Sequence, residues 1–132
     1  MKTIVFSFGF TFFISSMFAQ SVINTDTIGH LSKTDNLYVK NISSDSLCSG
    51  FIILIKKEVK LHKHLQHSEH VVVLDGEAEF ILGDKKFNIK KGDVIFIPKN
   101  TPHKVITTSK KPLKVISIQS PYFDGKDREM LE

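Results

Sequence analysis

The stretch from His62 to His103 reads HKHLQHSEHVVVLDGEAEFILGDKKFNIKKGDVIFIPKNTPH, and its rhythm decides the fold. Apolar residues come in short bursts, interrupted by Asp75-Gly76, Gly83-Asp84 and Lys91-Gly92-Asp93. Short alternating or β-branched runs bounded by Gly and Asp are strand signals, and no segment keeps helical spacing. Asp75-Gly76 and Gly83-Asp84 are expected to be hairpin turns, the first on a strong Asp-Gly signal.

Outward from this stretch the pattern continues. Phe51 to Ile55 is an apolar, β-branched run closed by Lys56-Lys57. Strands are predicted at 51–55, 59–65, 69–74, 78–82, 86–89, 94–97, 103–107 and 113–118, with a short one at 37–39. Residues 41–50 read as a loop of Ser, Asp and Asn. Residues 21–36 read as a polar arm, available to pair with a sheet edge or a neighbouring subunit. The tail from Pro121 holds another Asp-Gly turn and ends in charged residues expected to fray. Many short strands with frequent turns imply an all-β sandwich or barrel.

Residues 1–19 (MKTIVFSFGFTFFISSMFA) differ from the rest. Lys2, a long apolar run and Ala19 at its end form the layout of a cleaved secretory signal peptide, with an uncleaved anchor as the competing reading. The expected organisation is a signal peptide (1–19), an N-terminal arm and first strand (20–50), a barrel (51–120) and a tail (121–132). A secreted or periplasmic address follows, with no membrane attachment after cleavage.

The chain has 132 residues, of which 41% are hydrophobic and 24% charged, which suits one globular domain and excludes disorder. Its formal charge of +4 is spread over scattered lysines with no interleaved aromatic residues. That pattern makes a solvated outer surface and excludes a nucleic-acid stripe. Cys48 is the only cysteine, so no internal disulfide exists. It has no adjacent His or Lys to activate it and reads as a half-buried residue near a turn.

The chemistry lies in the histidines. Strand alternation puts His62 and His64 on one face. Glu69 opens the next strand after a short connection and can swing back to the same locus. His103 follows the turn Asn100-Thr101-Pro102, which can aim it inward. Three imidazoles and a carboxylate suit Mn, Fe, Co, Ni, Cu or Zn better than Ca or Mg. Each part has a plainer reading: His62-Lys63-His64 on an exposed strand, or His103 as a surface cap. His67 lies in the connection and His70 has the opposite parity to Glu69, so both are expected outward or in a loop. His30 is expected to be solvated.

The spacing His62-x-His64, four residues, Glu69, six residues, Gly76 is similar to the first cupin motif. Gly92, five residues, Pro98 and then His103 is similar to the second. The chain thus resembles the single-domain cupins from about Phe51 to Ile118. The resemblance implies a double-stranded β-helix, or jelly-roll barrel, with His62, His64, Glu69 and His103 as inward-facing ligands of a divalent transition metal (Mn, Fe, Ni, Cu or Zn). Three positions depart from the family pattern. Lys56 and Asn100 stand where glycines are usual, and Thr107 where Asn is usual.

Cupins perform many unrelated functions, so the fold does not deliver the reaction. The first expectation is an exported enzyme acting on a small molecule, dioxygenase-like or sugar-isomerase-like. The alternative is a metallo-cupin that binds a small ligand without turnover. Val71, Val73, Phe80, Phe87, Ile95 and Ile97 would line or fill the barrel in either case, while Glu77 and Glu79 receive no catalytic role. The resemblance also implies a homodimer formed through sheet edges and arms.

Overall fold

Alternation of β-branched and polar residues becomes ten strands in the computed structural model, which describes residues 22–29 and 33–132. They are β1 (Leu37–Ser44), β2 (Ser49–Ile55), β3 (Glu58–Lys63), β4 (Ser68–Asp75), β5 (Glu77–Leu82), β6 (Lys85–Lys90), β7 (Val94–Ile97), β8 (His103–Thr107), β9 (Leu113–Ser120) and β10 (Glu129–Met130). One 3₁₀ turn, Thr25–Thr27, is capped by the Asn24 side chain. Two five-stranded antiparallel sheets form, in the orders β1-β2-β9-β4-β7 and β10-β3-β8-β5-β6. The fold is an all-β jelly-roll barrel. The expected signal peptide and His30 lie outside the described residues.

The core sits between the sheets, where Ile55, Val71, Val73, Phe80, Ile97 and Val115 pack in one cluster. Four of the six apolar positions expected inside are buried, and Ile95 packs half-buried against them. Phe87 is the exception at 45% exposure. It pairs directly with the buried Phe80, on the same face, but lies on β6 at the sheet's edge, where cover ends.

Three local expectations need correction. Gly83-Asp84 does close a hairpin, with Leu82 opposite Lys85, but Asp75-Gly76 does not. Gly76 is the single residue between β4 in one sheet and β5 in the other, so it turns a corner between layers. β1 runs on to Ser44 through residues expected to be a loop, because β2 offers partners for Asn41, Ser43 and Ser44, with a bulge between Asn41 and Ser43. The tail does not fray: Glu129 and Met130 pair with Lys63 and His62. The described part of the arm docks on its own barrel. The Asn36 side chain bonds the backbone of Lys57 and Glu58, and Lys114 Nζ reaches the carbonyls of Thr25 and Ile28.

Candidate metal centre

β3 and β8 run antiparallel with His62 directly opposite His103, so their rings meet with centroids 4.1 Å apart. His64 lies just past the end of β3, yet keeps its inward parity. Its backbone carbonyl accepts a 2.5 Å hydrogen bond from the Asn100 N–H. Asn100 has φ +61°, the left-handed conformation that Asn tolerates better than most residues. The residue standing in place of a motif glycine thus makes the turn that seats two histidines.

One ring nitrogen from each of His62, His64 and His103 lies within 4.8 Å of the others, and all three residues are buried. Each ring is oriented by a backbone carbonyl at Nδ1: Lys60 O at 2.8 Å for His62, Thr101 O at 3.0 Å for His103, and Asp127 O for His64. A carbonyl only accepts, so Nδ1 carries the proton and Nε2 presents its lone pair to the cavity. The Nε2 atoms of His64 and His103 are buried without a hydrogen-bond partner. Orphan lone pairs that converge in this way fit a transition metal, and they are not satisfied as a metal-free polar core would require.

Glu69 enters from β4, in the opposite sheet. Its Oε2 is 3.7 Å from His64 Nε2 and 3.5 Å from His103 Nε2, while Oε1 accepts a hydrogen bond from the fully buried Ser117. Burial raises the Glu69 pKa, but the contacts with His103 and Ser117 outweigh it and leave the carboxyl below its ordinary range. Burial likewise pushes His62 down to about 3, helped by repulsion from His103 and Arg128. Burial also lowers His64, against the Asp127 carbonyl and Glu69. Neutral imidazoles facing an ionised carboxylate are the protonation states that a cation needs.

The four expected residues therefore come together at one end of the barrel. His70 is exposed, as its parity predicts, with its ring against Phe96. His67 is not outward: it is buried, with Nδ1 2.5 Å from Asp127 Oδ2 and Nε2 2.9 Å from Tyr122 O. With an acceptor at both nitrogens, its pKa is raised despite burial. Asp127 also accepts the backbone N–H groups of Leu65, Gln66 and His67, which clamps the tail over the connection that carries His64.

A cavity of about 70 Å³ opens beside the cluster, lined mainly by aliphatic side chains together with Phe80, Gln119 and Arg128. Ser117 and Gln119 escaped the sequence reading, although their parity with Leu113 and Val115 on β9 was the signal for two inward polar residues. Asp127 and Arg128 lie in the tail expected to fray, with no chemistry attached to either from sequence.

Residues 51–119 match the family model described as "Cupin domain". An uncharacterised protein of Methanocaldococcus jannaschii, MJ1618, is 37% identical over 81 residues, 61% of this chain and 65% of its own length. The chain thus spans just under two thirds of that relative. Among solved structures, an uncharacterised double-stranded β-helix protein of Klebsiella pneumoniae aligns with TM-score 0.73 and 17% identity, covering 86% of this chain and 99% of that one. The nucleoside dehydratase Pac13, of Streptomyces, aligns with TM-score 0.61 and 13% identity, covering 71% and 85%. At such identities the structural likeness is one of fold. The match over the whole barrel, with both motifs at their spacing, places the chain in the cupin family.

Proposed function

We propose that this chain is an exported, metal-dependent cupin that acts on a small molecule, of the dioxygenase type rather than the sugar-isomerase type. His62, His64 and His103 would hold the metal through Nε2 and Glu69 through Oε2. The metal, when bound, supplies Lewis acidity and access to dioxygen chemistry. The chain's own residues set the conditions. Burial keeps His62 and His64 neutral. Ser117 keeps one oxygen of Glu69 occupied so that the other faces the histidines. Aliphatic side chains make up most of the wall facing the cluster.

The wall is the observation that carries this choice. A sugar brings many hydroxyls, each needing a partner once buried, and the cavity offers only Gln119 and Arg128 beyond the cluster. An isomerase also needs a side chain to move a proton between carbons. Among the described residues lining the cavity, every other ionisable group belongs to the cluster. The same lack of a free acid or base favours, as the second reading, a metallo-cupin that binds its ligand without turnover.

Metal content of protein purified without chelator, compared with His64→Ala, tests the site, and equal metal in both would reject the ligand set. Oxygen consumption with a panel of small substrates tests the reaction. Tight binding without oxygen uptake or product would select the second reading.

A further inference from the structure

Two polar side chains line the cavity without belonging to the cluster. Gln119 is 6% exposed, and its Oε1 is buried with no hydrogen-bond partner. A buried acceptor without a donor marks a place where a ligand's O–H or N–H belongs. Arg128 reaches in from the tail with Nη2 3.2 Å from His62 Nε2. Because His62 Nδ1 donates to Lys60 O, Nε2 holds the ring's lone pair and Arg128 is its donor.

One lone pair serves one partner, either a guanidinium N–H or a metal ion. Arg128 must leave His62 when that nitrogen coordinates. The backbone on either side of it is fixed, by the Asp127 clamp before and the pairing of β10 with β3 after. The exchange is therefore a side-chain rotation and not a release of the tail. The freed guanidinium stays charged at any working pH, and among the described residues it is the only Arg or Lys lining the cavity.

We propose that Arg128 is the specificity-determining residue of this site and receives the carboxylate of a small hydroxy acid, whose hydroxyl donates to Gln119 Oε1. A planar fork facing a carboxylate gives paired hydrogen bonds, and the apolar wall strengthens them by excluding water. A cavity of about 70 Å³ limits the acid to a compact one. The inference rests on the metal reading above.

Calorimetric titration of zinc, and then of glycolate or its neutral isostere glycolamide, into wild type, Arg128→Gln and Arg128→Lys tests it. Zinc should bind Arg128→Gln about three- to tenfold tighter than wild type, because the competing guanidinium and its positive charge are gone and the shorter, neutral amide replaces them. Glycolate should bind zinc-loaded wild type at least about tenfold tighter than zinc-loaded Arg128→Gln, with Arg128→Lys between them and glycolamide weak throughout. Zinc bound by all three chains, with glycolate affinity the same in each, would overturn the role of Arg128 and leave the metal reading standing. Zinc bound by none of them would overturn both.

Discussion

Each ring of the cluster gives one nitrogen to a backbone carbonyl and turns the other toward the cavity, so its orientation is set by groups one layer out. Ser117 does the same for Glu69 from a fully buried position. Ser117→Ala should therefore keep the fold but weaken zinc binding by about 10- to 100-fold, measured by competition with a chromogenic chelator. The histidines also fix the direction of a pH effect. The folded His62 titrates at about 3 and an unfolded one at 6.5, so between these values the unfolded chain binds a proton that the folded chain does not. Stability should fall as pH is lowered through that window, with His64 adding in the same sense. The urea midpoint of apo-protein should be lower at pH 5 than at pH 7, and His62→Gln should flatten the dependence. The same slope in both chains would remove buried His62 as its cause.

Among the elements, the corner between β4 and β5 is the least replaceable. Gly76 has φ +84°, and a Cβ there would meet Pro112 O at 2.8 Å and Leu113 Cα at 2.9 Å. Gly92 has a similar φ of +96° but open space around it. Gly92→Ala should cost only the backbone strain, about 1 kcal/mol, whereas Gly76→Ala should cost at least ~2 kcal/mol more because backbone must move. Thermal denaturation of the two variants checks the difference. The same glycine shows where sequence reading reaches its limit. Asp-Gly locally permits a hairpin or a corner, and only the distant Pro112 and Leu113 decide between them. β1 is a parallel case, since Asn41 to Ser44 have weak strand propensity and pair because β2 lies alongside. Asn100 is the opposite case: it takes φ +61° in place of a motif glycine, a left-handed conformation that its own short polar side chain permits without help from distant residues.

At the scale of the molecule, the site spans both sheets: His62 and His103 come from one and Glu69 from the other, with the core packed between. Leu113, 1% exposed in that core, should cost about 2–5 kcal/mol as Leu113→Ala in chemical denaturation. Alternation made the strands and the shared face of His62 and His64 readable, because strand parity is a local property. Glu69 and His103 were expected inward from the connection and turn before them and from the cupin spacing. Arg128 and Asp127 were not readable, because a two-residue strand carries no pattern of its own and the contacts of Asp127 lie about sixty residues upstream. The pairing of β2 with β9, Ser49 opposite Gln119 through Ile55 opposite Leu113, has a consequence in time. A ribosome that has released only the first hundred residues presents β2 and β4 without the central strand that joins them. Completion of that sheet has to wait for the C-terminal end, and loop closure over so long an interval is slow. Refolding from urea should take milliseconds to seconds, in the range of other non-local β-proteins.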